Sequence, residues 1–313
     1  MSILLACDFD AGEWARWEPA LTAALPGERL LRARGEAADE ADIDIAIVAN
    51  PPPGALAGLP RLRLVQSLWA GVERLLADPT LPPAVPLARM VDPAMSAAMA
   101  ETALWAVLSL QRGFFRYARL QREARWSPHP QRRADEVAVA VLGLGQMGRA
   151  TARRLVAHGC PVLGWTATPA TLEGVECLHG DAALDARVLR EADVVVNLLP
   201  LTGATRGLFD AARLARMKPG AALVNLARGA HVVEADLLAA LDAGRLGHAV
   251  LDVFGQEPLP PAHPFWRHER VTVLPHAAAQ TDPRTAAAVA AANVRAVRRG
   301  EPPAHRVDRA RGY

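Results

Sequence analysis

The chain has 313 residues, enough for two domains that each have a hydrophobic core. Apolar residues make up 51% and charged residues 22% of the chain, a balance typical of soluble globular proteins. The formal net charge of +2 provides no electrostatic basis for binding nucleic acid or an acidic membrane surface, so neither is an expected partner.

The cysteines and the first residues indicate the compartment. Cys7, Cys160 and Cys177 are scattered and form no Cys-x-x-Cys pair, so we expect neither a disulfide framework nor a metal site. Met1 to Asp8 predict a strand rather than a signal peptide, because the segment lacks a basic start and Asp8 interrupts its apolar run. No apolar stretch approaches the roughly 18 residues that a membrane span needs. We expect a cytoplasmic protein.

The first part of the chain predicts a small α/β unit. Strands are expected at 2–7, 43–49, 62–67 and 86–90, with proline-rich turns between some of them. From about Pro93 to Arg125 the pattern is helical, and a helix of that length would join two domains. The polar segment 126–136 predicts a loop.

Residues 137–276 then alternate strand and helix, as in a doubly wound parallel sheet. In such a sheet the ligand lies beyond the carboxyl ends of the strands, so the residues that follow the strands should face one cleft. Six short apolar strands are predicted: 137–142, 161–165, 194–199, 222–226, 248–251 and 271–274.

The last helix is predicted over Arg284–Arg299, with Asp282 as its N-cap and Pro283 at its first turn. It would return the chain to the first domain. We therefore expect an α/β protein of two Rossmann-like doubly wound domains. The substrate domain would be discontinuous (1–98 and 277–313), the dinucleotide-binding domain would span 99–276, and the active site would lie in the cleft between them.

A glycine-rich turn follows the strand 137–142. Its sequence is Gly143-Leu144-Gly145-Gln146-Met147-Gly148, and a helix over 149–158 comes next. Glycines let the backbone approach a pyrophosphate, and a helix N-terminus supplies amide donors with partial positive charge. This context favours dinucleotide binding, with Gly143, Gly145, Gln146, Met147 and Gly148 at the cofactor, over a purely structural glycine turn.

The strand 161–165 ends without the acidic residue that usually binds the ribose of NAD. Thr166 and Thr168 stand there instead, and no acid comes before Glu173. The missing carboxylate favours NADP(H), while NAD(H) stays possible because no arginine follows to attract a 2′-phosphate. The alternative is that the two threonines merely close a loop.

Three charged or titratable residues follow later strands. Arg228 is placed for two-point binding of a carboxylate, although a surface arginine is the alternative in a chain this rich in arginine. His276 is either a core histidine or the acid–base group of a carbonyl reduction. Glu257 would orient the ring and stabilise its protonated form. The other eight histidines, including His263 and His268, predict surface or loop positions.

Several motifs in order resemble the D-2-hydroxyacid dehydrogenase family across nearly the whole chain. Within the family, the resemblance is strongest to reductases of glyoxylate and hydroxypyruvate. The matching stretches are QSLWAGVE (66–73), GLGQMGR (143–149), NLLPLTGAT (197–205), NLARGAHVVEADLLAAL (225–241), LDVFGQEPLP (251–260) and LPHAAAQT (274–281).

The resemblance implies roles for single residues. Arg228 would bind the substrate, Glu257 would pair with His276, and His276 would donate the proton. Trp69 and the backbone amides of Ala70, Gly71 and Val72 would contribute to the substrate site, together with Arg228 and His276. Besides the glycine loop and the two threonines, the cofactor contacts would be Leu199, Pro200, Thr205, Ala227 and Asp252.

The resemblance also implies a homodimer through the cofactor domain, with the arm that contains Trp126 near the partner's site. The expected reaction is NAD(P)H-dependent reduction of glyoxylate to glycolate and of hydroxypyruvate to D-glycerate. The alternatives are a dehydrogenase of a larger D-2-hydroxy acid and an NAD(H)-sensing regulator. NADP-preferring relatives usually carry Ser-Arg or Thr-Arg where this chain has Thr166-Ala167, so the resemblance does not imply a strict preference for NADP.

Overall fold

A computed structural model describes all residues from Met1 to Tyr313. The chain divides into two compact units, Met1–Met95 with Thr281–Tyr313, and Ser96–Gln280. The first unit is therefore discontinuous in sequence. The boundaries fall at 95/96 and 280/281, where 98/99 and 276/277 were expected.

The strands form two separate parallel sheets. In chain order they are β1 Ser2–Cys7, β2 Leu30–Leu31, β3 Ile43–Ala49, β4 Leu64–Ser67, β5 Leu87–Ala88, β6 Val139–Leu142, β7 Val162–Thr166, β8 Glu176–His179, β9 Val194–Asn197, β10 Ala222–Asn225, β11 His248–Leu251 and β12 Val271–Val273.

Helices connect the strands. They are α1 Ala11–Ala24, α2 Glu73–Leu76, α3 Pro93–Gln111, α4 Phe114–Arg122, α5 Gln146–His158, α6 Gly180–Ala183, α7 Leu189–Glu191, α8 Ala211–Arg216, α9 Glu234–Asp242 and α10 Pro283–Arg298. A π-helical turn over Leu184–Val188 lies between α6 and α7, and short 3₁₀ turns include Gly229–His231 and Pro264–Trp266.

The discontinuous unit has a five-stranded sheet in the order β2-β1-β3-β4-β5, the order of one common doubly wound fold. Every residue of β3 is buried, as expected for an apolar strand covered on both faces. The helix α10 belongs to this unit and begins as predicted, because Asp282 accepts a hydrogen bond from the Arg284 amide and Pro283 occupies the first turn.

The second unit has a seven-stranded sheet in the order β12-β11-β10-β9-β6-β7-β8. The chain starts in the middle at β6, winds outward to β8, and then returns to β9 on the other side of β6. This is the Rossmann order with one extra strand, and its switch point lies between β6 and β9. Apolar clusters cover both faces, one around Phe209 and Phe265 and the other around Val107 and Val141.

The helical stretch predicted from Pro93 to Arg125 is two helices rather than one. Gly113 separates α3 from α4 in a left-handed conformation with φ +68°, which glycine adopts without a steric penalty. The single long helix was therefore wrong, because the apolar spacing continues through the break and conceals it.

The helix α3 also corrects the expectation about membrane spans. It has 19 residues with a mean hydropathy of 1.2, long and apolar enough to span a membrane by length and composition alone. The helix was not expected as a candidate span because Ser96, Glu101 and Thr102 interrupt its apolar residues. Ala103, Ala106 and Val107 are fully buried in the core of their own unit, and core helices of globular proteins meet the same criteria.

Candidate active site

The candidate site lies at one edge of the seven-stranded sheet. All seven strands are parallel, so the residues that follow them emerge on the same side. Six of the strands are followed there by residues predicted for the site: Gly143 after β6, Thr166 at the end of β7, Pro200 after β9, Arg228 after β10, Asp252 after β11 and His276 after β12.

The glycine loop requires glycine at two of its positions, 143 and 148. Gly143 has φ +93°, and a Cβ there would lie 2.9 Å from the Leu198 carbonyl oxygen. A Cβ at Gly148 would lie 1.7 Å from the Gly143 oxygen. These contacts hold the start of α5 tightly against the end of β6.

The middle glycine of the loop faces open space. Gly145 is the N-cap of α5, makes no side-chain cap, and a Cβ there would meet nothing within 4 Å. The first turn of a 13-residue helix is thus open to a ligand, and its backbone amides favour an anion. These residues fit the pyrophosphate of a dinucleotide. Gln146 and Met147 form that first turn.

The segment after β7 closes on itself. The Thr166 hydroxyl donates to the Thr168 carbonyl oxygen at 2.5 Å. The Thr166 hydroxyl therefore stabilises the loop itself. This agrees with the alternative interpretation, in which the threonines close a loop. Contacts of Thr166 or Thr168 with a ribose stay a prediction.

The turn after β9 is tied together by Thr205. Its hydroxyl donates to the Pro200 carbonyl oxygen at 2.7 Å and accepts from the Thr202 amide at 2.8 Å. Thr205 thus shapes the turn that contains Leu199 and Pro200, while its cofactor contact stays a prediction.

Arg228 and the next residue, Gly229, each make a close contact with the backbone. Its Nη1 donates to the Ala227 carbonyl oxygen at 2.6 Å, and its side chain is partly exposed. A Cβ at Gly229 would lie 1.9 Å from the Phe254 carbonyl carbon, so only glycine fits. The loop after β10 therefore packs directly on the backbone of the loop after β11. The sequence alone did not predict that position 229 requires glycine.

Glu257 and His276 form a hydrogen-bonded pair. The distance from His276 Nδ1 to Glu257 Oε2 is 2.7 Å, and Glu257 Oε1 accepts from the Phe254 amide at 2.9 Å. Both carboxylate oxygens act as acceptors, so Nδ1 carries the hydrogen. The His276 side chain is 53% exposed, which excludes the alternative of a core histidine.

Asp252 holds the segment that carries His276. Its buried carboxylate accepts hydrogen bonds from the amides of Ala277 and Ala278 at 2.7 to 3.1 Å. The His276 amide also donates to the Asp252 carbonyl oxygen at 2.9 Å. His276 adopts φ +52°, an uncommon conformation for a residue with a side chain, and these bonds maintain it. The contact of Asp252 with the cofactor stays a prediction.

Four residues predicted for the substrate site lie in the discontinuous unit. Trp69, Ala70, Gly71 and Val72 form the connection from β4 to α2. The Trp69 amide donates to the Ser67 hydroxyl at 3.0 Å, and its ring packs edge-on against aromatic rings of the same unit. Their contact with substrate stays a prediction.

The prediction of surface or loop positions for the remaining histidines was wrong for His248, which begins strand β11 and is half-buried with its ring stacked on Phe115. His231 follows the buried strand β10 and lies in a 3₁₀ turn, but it is fully buried. The side chains that surround the two histidines come from distant parts of the chain. No group of three or more His, Cys, Asp or Glu side chains is placed to hold a metal ion.

The sheet order, the glycine loop and the Glu257–His276 pair together define a dinucleotide-dependent oxidoreductase of the Rossmann type. Residues 104–278 match the family model described as D-isomer specific 2-hydroxyacid dehydrogenase, NAD binding domain. The chain belongs to the D-isomer specific 2-hydroxyacid dehydrogenase family.

Individual relatives are similar over almost their full length. A protein of Serratia proteamaculans named glyoxylate/hydroxypyruvate reductase A is 42% identical over 97% of both chains. A family member from Xanthobacter autotrophicus, solved with NADPH and MES, is 44% identical with a TM-score of 0.94, covering 100% of this chain and 99% of that one. An NADPH-dependent glyoxylate/hydroxypyruvate reductase of Sinorhizobium meliloti, solved with NADP and sulfate, is 36% identical with a TM-score of 0.92 over 100% of both chains.

Proposed function

We propose that the chain reduces small 2-oxo acids, glyoxylate and hydroxypyruvate first, to glycolate and D-glycerate, with NADPH as the reductant. The observation that carries this proposal is the Glu257–His276 hydrogen bond of 2.7 Å at the carboxyl edge of a Rossmann sheet. A pair of this kind supplies the proton that reduction of a carbonyl requires. The reductase names of the relatives support the choice of substrate.

The cofactor would bind at the glycine loop. Gly143, Gly145, Gln146, Met147 and Gly148 would surround the pyrophosphate, and Leu199, Pro200, Thr205, Ala227 and Asp252 would contribute further contacts. When bound, NADPH supplies a hydride to the carbonyl carbon. NADP(H) is favoured because no acidic side chain stands between the end of β7 and Glu173 to repel a 2′-phosphate, and the solved relatives that contain NADPH or NADP support this.

His276 would donate the proton to the carbonyl oxygen. Because Nδ1 is bonded to Glu257, Nε2 would be the nitrogen that donates to the substrate. The carboxylate of Glu257 stabilises the positively charged ring before transfer and fixes its orientation. After transfer, the neutral ring keeps its hydrogen on Nδ1, and Nε2 takes up a new proton from solvent.

Arg228 would bind the substrate carboxylate and the carbonyl oxygen. A guanidinium offers paired donors that match a carboxylate, and it offsets the negative charge that develops on the oxygen. Donors of this kind lower the free energy of the transition state by about 3 kcal/mol. Trp69 and the amides of Ala70, Gly71 and Val72 would also contribute to substrate binding.

A substrate panel tests the proposal. Purified protein is mixed with NADPH or NADH and with glyoxylate, hydroxypyruvate, pyruvate or phenylpyruvate, and oxidation of the cofactor is followed by absorbance. We expect the highest kcat/KM with the two small acids and NADPH. A preference for phenylpyruvate would indicate a dehydrogenase of larger acids, and binding of NADPH without turnover would indicate a nucleotide-sensing regulator.

We further propose a cytoplasmic homodimer formed through the cofactor-binding unit. Three apolar side chains of this unit, Trp105, Phe114 and Trp126, are exposed by 41%, 52% and 98% respectively, and a second copy would cover them. Cys7, Cys160 and Cys177 are all free thiols, as is usual in a reducing compartment. Light scattering coupled to gel filtration measures the mass in solution, and a monomer at micromolar concentration would contradict the assembly.

A further inference from the structure

A buried polar network lies directly beneath the candidate site. Asn197, Asn225 and His231 are each 0% exposed. Asn197 and Asn225 end the neighbouring strands β9 and β10 and stand opposite each other in register. His231 comes from the 3₁₀ turn that follows Arg228. Burial of three polar side chains is costly unless each is hydrogen-bonded, so their bonds indicate what they do.

The network has one consistent set of donors and acceptors. Asn197 Nδ2 lies 3.0 Å from Asn225 Oδ1 and 2.9 Å from His231 Nδ1. An amide nitrogen is only a donor, so both of these atoms accept. His231 Nδ1 therefore carries no hydrogen, and the hydrogen of the neutral ring is on Nε2. That nitrogen lies 3.3 Å from the Pro200 carbonyl oxygen, which accepts it.

The network reaches the backbone of two turns. On one side, Asn197 Oδ1 accepts from the Leu199 amide at 3.2 Å, and His231 bonds to Pro200. On the other side, Asn225 accepts from the Ala227 amide at 3.3 Å and donates to the Arg228 carbonyl oxygen at 2.9 Å. The first turn is on the predicted cofactor side, and the second carries the predicted substrate arginine.

We infer that Asn197, Asn225 and His231 are positioning residues that set the Pro200 turn and the Arg228 turn relative to each other. None of the three needs to contact a ligand for this. His231 belongs to the chain segment after Arg228 and bonds to the Pro200 carbonyl oxygen. It therefore links the Arg228 turn directly to the Pro200 turn. The inference rests on the proposed function, because it assigns the two turns to cofactor and substrate.

Two substitutions at His231 separate positioning from general stability. In His231→Gln the side-chain amide reaches the place of Nε2 and can still donate to the Pro200 oxygen. In His231→Asn the shorter side chain reaches only the place of Nδ1. Both variants are polar and smaller than histidine. Leu241→Ala is the control for lost core packing, since Leu241 is 0% exposed in the same unit and belongs to its apolar core.

Three quantities are measured for each variant: kcat and KM for glyoxylate, the Kd of NADPH by fluorescence, and the Tm. We expect His231→Asn to lower kcat/KM by about 10- to 100-fold and to raise the Kd of NADPH, because a small misplacement of reacting groups has effects of that size. We expect His231→Gln to recover most of both losses. Leu241→Ala should lower Tm while kcat, KM and Kd stay close to those of the wild type.

Two results would overturn the inference. One is that His231→Asn and His231→Gln have equal kinetic constants and equal Kd. The other is that their losses match those of Leu241→Ala at the same Tm. If the wild type reduces neither glyoxylate nor hydroxypyruvate, the proposed function fails instead. The Kd values of the two variants for NADPH then still decide whether His231 positions the Pro200 turn.

Discussion

Glu257 and His276 are 19 positions apart in the chain, and their side chains meet at 2.7 Å because the strands before them, β11 and β12, are neighbours in the sheet. The carboxylate is held in turn by the Phe254 amide, at 2.9 Å from its other oxygen. The ring of His276 therefore has one nitrogen fixed by the protein and the other left for a reactant. This asymmetry is what a proton donor needs.

Replacement of His276 tests the proton donor. His276→Ala should lower kcat for glyoxylate by about 10²- to 10⁴-fold, the usual contribution of a positioned acid or base. The Kd of NADPH should change little, because the residue lies after β12 and away from the glycine loop after β6. Steady-state kinetics and fluorescence titration measure the two quantities. His268→Ala, a loop histidine paired with Asp242, is the control. Near-normal turnover of His276→Ala would exclude the role.

Glu257→Gln tests the partner of the ring. The amide has nearly the same shape, and its oxygen can still accept from the Phe254 amide, but the negative charge is lost. With its oxygen on the Phe254 amide, the new side chain turns N–H groups toward Nδ1, so the ring loses the acceptor that fixes its orientation. We expect kcat for glyoxylate to fall by about 10- to 100-fold, since a small misplacement of reacting groups has effects of that size. Steady-state kinetics measure this. Glu269→Gln, at an exposed carboxylate, should leave kcat unchanged. Equal kcat for Glu257→Gln and the wild type would mean that the pair is not coupled in catalysis.

The glycine loop gives two substitutions with opposite structural effects. In Gly148→Ala the new methyl would lie 1.7 Å from the Gly143 oxygen, so the loop must shift and both Tm and NADPH affinity should fall. In Gly145→Ala the methyl meets nothing within 4 Å, so Tm should hold while it obstructs the approach of the pyrophosphate. Thermal unfolding and NADPH titration separate the effects. If Gly145→Ala bound NADPH as tightly as the wild type, the pyrophosphate would not lie at this glycine.

His248 predicts a pH dependence of stability. Burial, with a smaller effect from the charge of His268, lowers the pKa of His248 from 6.5 to about 4. Between these values the unfolded chain binds a proton that the folded chain does not, so stability is complete above pH 6.5 and falls as pH drops toward 4. The loss is at most about 3 kcal/mol and is reduced by the partial exposure of the ring.

His248→Gln removes the titrating group and can keep a bond to the Thr272 hydroxyl, which lies 2.9 Å from Nε2. We expect the difference in the free energy of unfolding between pH 7.5 and pH 5 to become smaller in this variant. Urea unfolding at the two pH values measures it. An identical difference in wild type and variant would show that another group is responsible.

Thr166→Asp tests how the segment after β7 distinguishes the two cofactors. A carboxylate there would repel a 2′-phosphate and accept from a ribose hydroxyl, so the ratio of kcat/KM for NADPH to that for NADH should fall. Thr168→Asp, two positions further along the same exposed loop, is a useful comparison. If neither substitution changes the ratio, this loop does not contact the ribose.

The sequence predicted those parts of the fold that depend on local patterns. All six strands expected between 137 and 276 are present, because each is an apolar run next to a turn or a glycine. The strands β2 and β8 escaped prediction, since the first has two residues and the second, ECLH, is polar and lies at the sheet edge. The break at Gly113 was hidden by continuous apolar spacing on both sides.

At the site, the sequence predicted the Glu257–His276 pair but not the hydrogen bonds from more distant segments that hold it. Asp252 was expected at the cofactor, and that contact stays a prediction, but the bonds from its carboxylate to the backbone after His276 were not foreseen. His231 was expected at a surface or loop position and is buried within a turn. In both cases the partner atoms belong to distant segments, so no local pattern could reveal them.

The contact between Gly229 and the Phe254 backbone has a consequence for engineering. Two neighbouring loops, one with Arg228 and the other with Glu257, touch there through main-chain atoms, and any side chain larger than hydrogen at position 229 would collide with the Phe254 backbone. A graft that brings in only one of these loops from another enzyme must therefore preserve this close approach. Transplanting the two loops together avoids the collision.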